Sequence, residues 1–246
     1  MRATRLPGIH HDSNSILICD SGDAILIDCG TSWYQLLIEE RIRGQLPKNT
    51  EISNILLTSR RFNHSGASSF LSSAFDSKIS IHDSAVNSLA GGDHFTTWAS
   101  RFNSNMPITN AKGIHDGEII GFGKKEVLAV HIPGHSIDSM GYFVESEQLM
   151  MVGSTIPGEN RASRWDLPTG CLPDLADSME IILNLDLEIL ITGFGEKITG
   201  KNKVKNILEK HRNYFDNCIE NISNDLPENF PKPAQTVTYL IPNEWN

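Results

Sequence analysis

The chain has 246 residues, 39% hydrophobic and 21% charged, which is enough for one large α/β domain and typical of a packed globular protein, not a disordered one. A formal net charge of −9 with no basic run provides no phosphate-neutralising stripe for nucleic acid, and no stretch approaches the ~20 apolar residues of a membrane span. The opening Met-Arg-Ala-Thr-Arg-Leu-Pro-Gly lacks the apolar core of a signal peptide, so the expected location is the cytoplasm. Cys19, Cys29, Cys171 and Cys218 form no Cys-x-x-Cys pair, so free thiols are expected in place of a zinc knuckle or disulfide framework.

In chain order, Ser15 to Cys19 and Ala24 to Asp28 are β-branched runs separated by Asp20-Ser-Gly-Asp23, which predicts a hairpin. Helical periodicity follows from Trp33 to Gly44, then a buried strand from Ile52 to Thr58 that runs into the polar loop 59–66 and a Ser/Ala-rich helix near Ala67 to Phe75. Lys78 to His82 reads as a strand, and Ala90 to Ala111, with Trp98, Phe102 and Pro107, as a loose insert suited to a lid. Further strands are expected over Glu126 to Ile132, Met140 to Glu145, Leu149 to Val152 and Leu187 to Thr192. An amphipathic helix from Val204 to Ile222 and a Pro-rich tail from about 226 to 246 complete one domain whose core spans about 12 to 222.

Five landmarks recur in a recognisable order: Leu26-Ile27-Asp28-Cys29-Gly30; Ile55-Leu56-Leu57-Thr58 followed by Ser59-Arg60-Arg61-Phe62-Asn63-His64-Ser65-Gly66; His131-Ile132-Pro133-Gly134-His135-Ser136; Val152-Gly153-Ser154; and Thr192-Gly193-Phe194-Gly195. In that order the chain resembles the metallo-β-lactamase superfamily, especially its glyoxalase II and lactonase-like branch. The resemblance implies an αββα four-layer sandwich with one cleft at the strand ends. It also implies the place where relatives hold two zinc or iron ions between five histidines and two aspartates. Here those places read Ser59, Arg61, Asn63, His64, His135, Ser154 and Phe194. A guanidinium has no lone pair to offer and repels a divalent ion, so neither a bound metal nor another cofactor is expected.

The remaining residues leave several roles open. Arg61 either grips a carboxylate or phosphate of a ligand or forms a salt bridge with Asp138 or another acid, while Arg60 is expected to be solvated. His64 and His135 are an acid/base pair, the remnant of a single weak metal site completed by His131, His10 or His11, or histidines retained for packing. Ser154 or Ser59 could act as a nucleophile beside an imidazole, but the sequence identifies no orienting carboxylate and no Gly-x-Ser-x-Gly elbow. Asp28 is expected to brace the loop that carries Asn63, and Trp165, with Ser59, Asn63 and Phe194, to line a ligand pocket. The functions that follow are metal-independent chemistry on a small anionic ester, lactone or thioester, a non-catalytic ligand-binding or scaffolding role, or hydrolysis with one weakly held metal. The expected partner is a small anionic molecule, with self-association left open.

Overall fold

Strands buried on both faces must be apolar at every position, and the first hairpin shows what that does. In Ser15–Asp20 and Asp23–Ile27, alternate residues point to opposite faces: Ile16, Ile18, Ile25 and Ile27 enter one apolar cluster, Leu17, Cys19, Ala24 and Leu26 another. In the computed structural model, which describes residues 1–220 and the short strand Lys232–Pro233, this pattern generates four layers.

The first sheet runs in spatial order β1 (Arg2–Leu6), β2 (Ser15–Asp20), β3 (Asp23–Ile27), β4 (Glu51–Leu56), β5 (Lys78–His82) and β6 (Lys112–Ile114). Its outer face is covered by α1 (Gln35–Gln45), α3 (Ser68–Phe75) and α4 (Asp83–Ala90), through Ile38, Ile42, Leu71, Ala85 and Leu89; a single turn, α2 (Phe62–Ser65), lies in the loop after β4. The second sheet holds β7 (Ile119–Phe122), β8 (Lys125–His131), β9 (Met140–Val144), β10 (Leu149–Met151), β12 (Ile189–Ile191) and β13 (Ile198–Thr199). The two-residue β11 (Arg161–Ala162) pairs instead with β14 (Lys232–Pro233). Helices α5 (Leu172–Leu183) and α6 (Lys201–Glu220) cover the second sheet through Leu175, Met179, Ile182, Val204, Leu208 and Phe215. Ile16, Ile27, Leu56, Val127, Tyr142 and Met151 fill the layer between the sheets.

The expected αββα sandwich is therefore the observed one, with β1, β6, β7, β11, β13, β14, α2, α4 and α5 added to the elements read from the sequence. The end of the expected helix at Ile222 and the Pro-rich tail lie outside the described residues, apart from β14. No helix among the described residues is long and apolar enough to cross a membrane.

One helix residue carries a measurable consequence. His211 sits in α6 fully buried, with Nε2 3.1 Å from the Gly158 carbonyl and Nδ1 unpartnered; burial brings its imidazole down to about 4. The folded pKa thus lies below the unfolded value of about 6.5, so its contribution is complete above pH 6.5 and is lost as pH falls toward 4. About 3 kcal/mol of stability is expected to disappear over that window. Urea midpoints at pH 7 and 4.5 should show the drop, and His211→Gln should flatten it.

Candidate functional site

The site forms where strands from both sheets end together. β3 and β4 are parallel with Ile27 opposite Leu56, so the residues just beyond them, Asp28 and Thr58, emerge side by side. Asp28 takes a left-handed backbone (φ 59°), and its N–H donates to the Leu56 carbonyl at 2.9 Å. That turn aims its carboxylate at the next strand's loop. Oδ1 accepts from the Thr58 N–H at 2.8 Å, and Oδ2 accepts from the Thr58 hydroxyl at 2.7 Å and meets His64 Nδ1 at 2.6 Å.

From the second sheet, β10 delivers Gly153-Ser154. Gly153 has φ 52° and a Cβ there would stand 2.3 Å from Thr58 Oγ1, so only glycine allows this turn to approach the Asp28–Thr58 pair. Ser154 Oγ lies 2.7 Å from His64 Nε2. An ionised carboxylate only accepts, so Nδ1 of His64 carries the proton toward Asp28 and Nε2 is left to accept from the Ser154 hydroxyl. Ser154, His64 and Asp28 thus form one directed chain, with His64 and Asp28 fully buried and Ser154 5% exposed. The orienting carboxylate that the sequence did not identify is Asp28, whose bonds run to Thr58 and, within the loop that carries Asn63, to His64.

The other expected residues lie around this chain with different jobs. His135 donates from Nδ1 to the Arg164 carbonyl (3.1 Å), which leaves Nε2 with its lone pair; burial, then Arg61 and His64, pushes this imidazole well below the usual range, so it is neutral. Ser59 Oγ meets Ser136 Oγ at 3.0 Å and accepts from the Arg61 N–H, which makes it a loop brace. The Phe194 ring stands 6.3 Å from that of His64, edge to face. Trp165 packs on Tyr214 and Phe215 of α6, so it belongs to the apolar layer between the second sheet and α5 and α6, and not beside the imidazoles.

The structure buries both arginines and gives Arg60 the salt bridge. Arg60 is buried, with its N–H 2.6 Å and its Nε 2.7 Å from the Asp138 carboxylate and its terminal nitrogens on Ser88 Oγ and the Ser84 carbonyl. It is not solvated, and the Asp138 salt bridge is its own. Arg61, 1% exposed, donates to the carbonyls of Thr96 (2.7 Å), His135 (3.0 Å) and Pro168 (2.6 Å), leaving Nε unpartnered. Burial brings its guanidinium down to about 10, so it remains a cation at neutral pH. By gripping Thr96 it clamps the 90–111 segment onto the site, helped by the Phe62 N–H to the Thr97 carbonyl (2.9 Å) and by Arg164 over the Trp98 ring. These contacts hold the segment that the sequence marks as a candidate lid against the loop after β4.

Among the described residues, no three His, Cys, Asp or Glu side chains converge in an arrangement able to hold a metal ion. The family model described as the metallo-beta-lactamase superfamily matches residues 9–193. A probable metallo-hydrolase of Methanocaldococcus jannaschii is 29% identical over 200 residues, covering 78% of this chain and 92% of the relative. An atrochrysone carboxyl ACP thioesterase of Pseudocercospora fijiensis is 26% identical over 160 residues, 64% of this chain, and the chain spans 41% of that relative. Among solved structures, the BLEG-1 B3 metallo-beta-lactamase matches with a TM-score of 0.71 at 23% identity, over 84% of this chain and 96% of that one.

Proposed function

The chain belongs to the metallo-beta-lactamase superfamily, and from that premise we propose that it is a hydrolase that has exchanged metal-activated water for a serine nucleophile, Ser154, acting on a small ester or thioester. The observation that carries this reading is the Ser154–His64–Asp28 chain, with contacts of 2.7 and 2.6 Å. Nucleophilic acyl transfer needs that order of hydroxyl, imidazole and carboxylate.

The donor set does not fit a pair of divalent ions. Both nitrogens of His64 are engaged by Asp28 and Ser154, the Phe194 ring has no lone pair, and Arg61 sets a fixed cation among the ligand places. No step is therefore routed through a metal. The Ser154 Oγ bonds to the acyl carbon as its proton passes to His64 Nε2; that proton then goes to the departing alcohol or thiol as the C–O or C–S bond breaks. Water repeats the cycle on the acyl-enzyme, giving its proton to Nε2 and releasing the carboxylic acid with Ser154 restored. Arg61, with no carboxylate in contact among the described residues, leaves a positive field suited to an anionic group on the substrate. The thioesterase among the relatives supports an acyl thioester as one member of this class.

An alkyl fluorophosphonate should add once per chain, on the peptide carrying Ser154, and labelling should vanish in Ser154→Ala and fall steeply in His64→Ala. Hydrolysis of aryl esters should be unchanged after dialysis against a strong chelator. Loss of activity on chelation with recovery on adding zinc would overturn the reading, as would labelling at another residue.

A further inference from the structure

We infer that Asn63 supplies the oxyanion donor of this site, its side-chain amide holding the acyl oxygen as Ser154 attacks. The inference rests on the serine-hydrolase reading and deepens it by adding a residue that touches the reacting atoms.

Asn63 is 1% exposed, and neither Nδ2 nor Oδ1 has a hydrogen-bond partner. Buried carboxamides are normally satisfied, because an unmade hydrogen bond in the interior is a direct loss of stability. A fold that keeps one open on both ends, in the residue before the imidazole that contacts Ser154, is keeping a donor free for something that arrives later. The backbone around it is fixed. The Asn63 carbonyl accepts from the Ser13 N–H at 2.9 Å, the His64 carbonyl from the Cys29 N–H at 2.8 Å, and the Asn14 N–H donates to the Gly193 carbonyl at 2.7 Å. Gly193 in turn packs so closely on the nucleophile's turn that a Cβ there would stand 2.7 Å from the Gly153 carbonyl and 3.1 Å from the Ser154 nitrogen. The 13–14 loop thus ties Asn63 and Ser154 into one frame, and its Ser13 hydroxyl is also buried and unpartnered.

The chemistry favours an amide over the nearby cation. When Ser154 Oγ bonds to the acyl carbon, the carbonyl π pair moves onto oxygen; when the tetrahedral species collapses, that pair re-forms the double bond and expels the leaving group with the proton from His64. A neutral N–H fixed beforehand in a water-excluded site stabilises the intermediate charge without reorganising. Three N–H groups of Arg61 are already committed to carbonyls, so it is the worse candidate for that contact.

The test compares Asn63→Leu and Asn63→Asp with Ser154→Ala in aryl-ester hydrolysis, thermal unfolding and inhibition by an aryl boronic acid. Asn63→Leu is expected to lower kcat by about 10²- to 10³-fold with KM little changed, to weaken the boronate in parallel, and to raise Tm because an unsatisfied amide is gone. Asn63→Asp, nearly isosteric, should lose kcat at least as far, since a carboxylate repels the oxyanion; it keeps the question answerable should the leucine variant fold poorly. An inactive Ser154→Ala beside Asn63 variants of unchanged kcat and boronate affinity would overturn this inference alone. A fully active Ser154→Ala would overturn the hydrolase reading on which it rests.

Discussion

Ser154→Ala is expected to lower kcat/KM for aryl-ester and acyl-thioester hydrolysis by about 10⁴-fold or more, and Asp28→Asn by a comparable factor through a different fault. The alanine removes the attacking oxygen. The asparagine keeps an oxygen for the Thr58 N–H, which Asp28 Oδ1 now accepts at 2.8 Å, but puts an NH₂ where Oδ2 faces His64 Nδ1. An amide donor there forces the proton onto Nε2, and an imidazole protonated on Nε2 cannot take the Ser154 proton. Because the residues act as a unit, the double variant should be no slower than the worse single one, and near-additive losses would argue that the three side chains only brace the loop. Each variant loses one buried hydrogen bond, at about 1 to 3 kcal/mol, so rates are compared at a temperature where circular dichroism shows all proteins folded.

The sequence discloses the sandwich because its strands obey one rule. Runs such as Ile16 to Cys19 and Ala24 to Ile27 are apolar throughout, which is required when both faces are covered. The edge strand Arg2–Leu6 escapes notice because it is partly exposed and mixes arginines with a lone leucine. The positions of His64, His135 and Ser154 follow from motif order, but their connection does not. Asp28 becomes the orienting carboxylate only because β3 and β4 are parallel with Ile27 opposite Leu56 and because its left-handed turn redirects the side chain. The register was a usable signal, since two parallel strands ending in Asp and Thr must present them side by side. The misplacement of Arg60 has a simpler cause. Strand alternation stops when β4 ends at Leu56, so extrapolating it through Thr58 and Ser59 sends the Arg60 guanidinium to solvent when it is in fact buried. Trp165 sits in an irregular stretch with no periodicity to reveal that its partner is α6.

Removing the Asp138 carboxylate should give the largest loss of stability. Asp138 is fully buried and receives both the Arg60 N–H and Nε, while the rest of that guanidinium anchors the Ser84 carbonyl and Ser88 Oγ of α4. The pair therefore joins the 132–139 loop of the second sheet to the loop after β4 and to a helix of the first. Asp138→Ala leaves a buried cation unpaired, with two others, Arg61 and Arg164, already close by. Breaking such a pair costs about 3 to 5 kcal/mol, which for a chain of this size lowers Tm by about 10 °C. The double variant Asp138→Ala with Arg60→Met removes the orphaned charge as well, so it should recover a large part of that loss, the remainder reflecting the anchors to α4. Thermal scans of the three proteins check this, and a single variant as stable as the parent would mean that water reaches Arg60 and that the two sheets are held together at this end by their apolar layer alone.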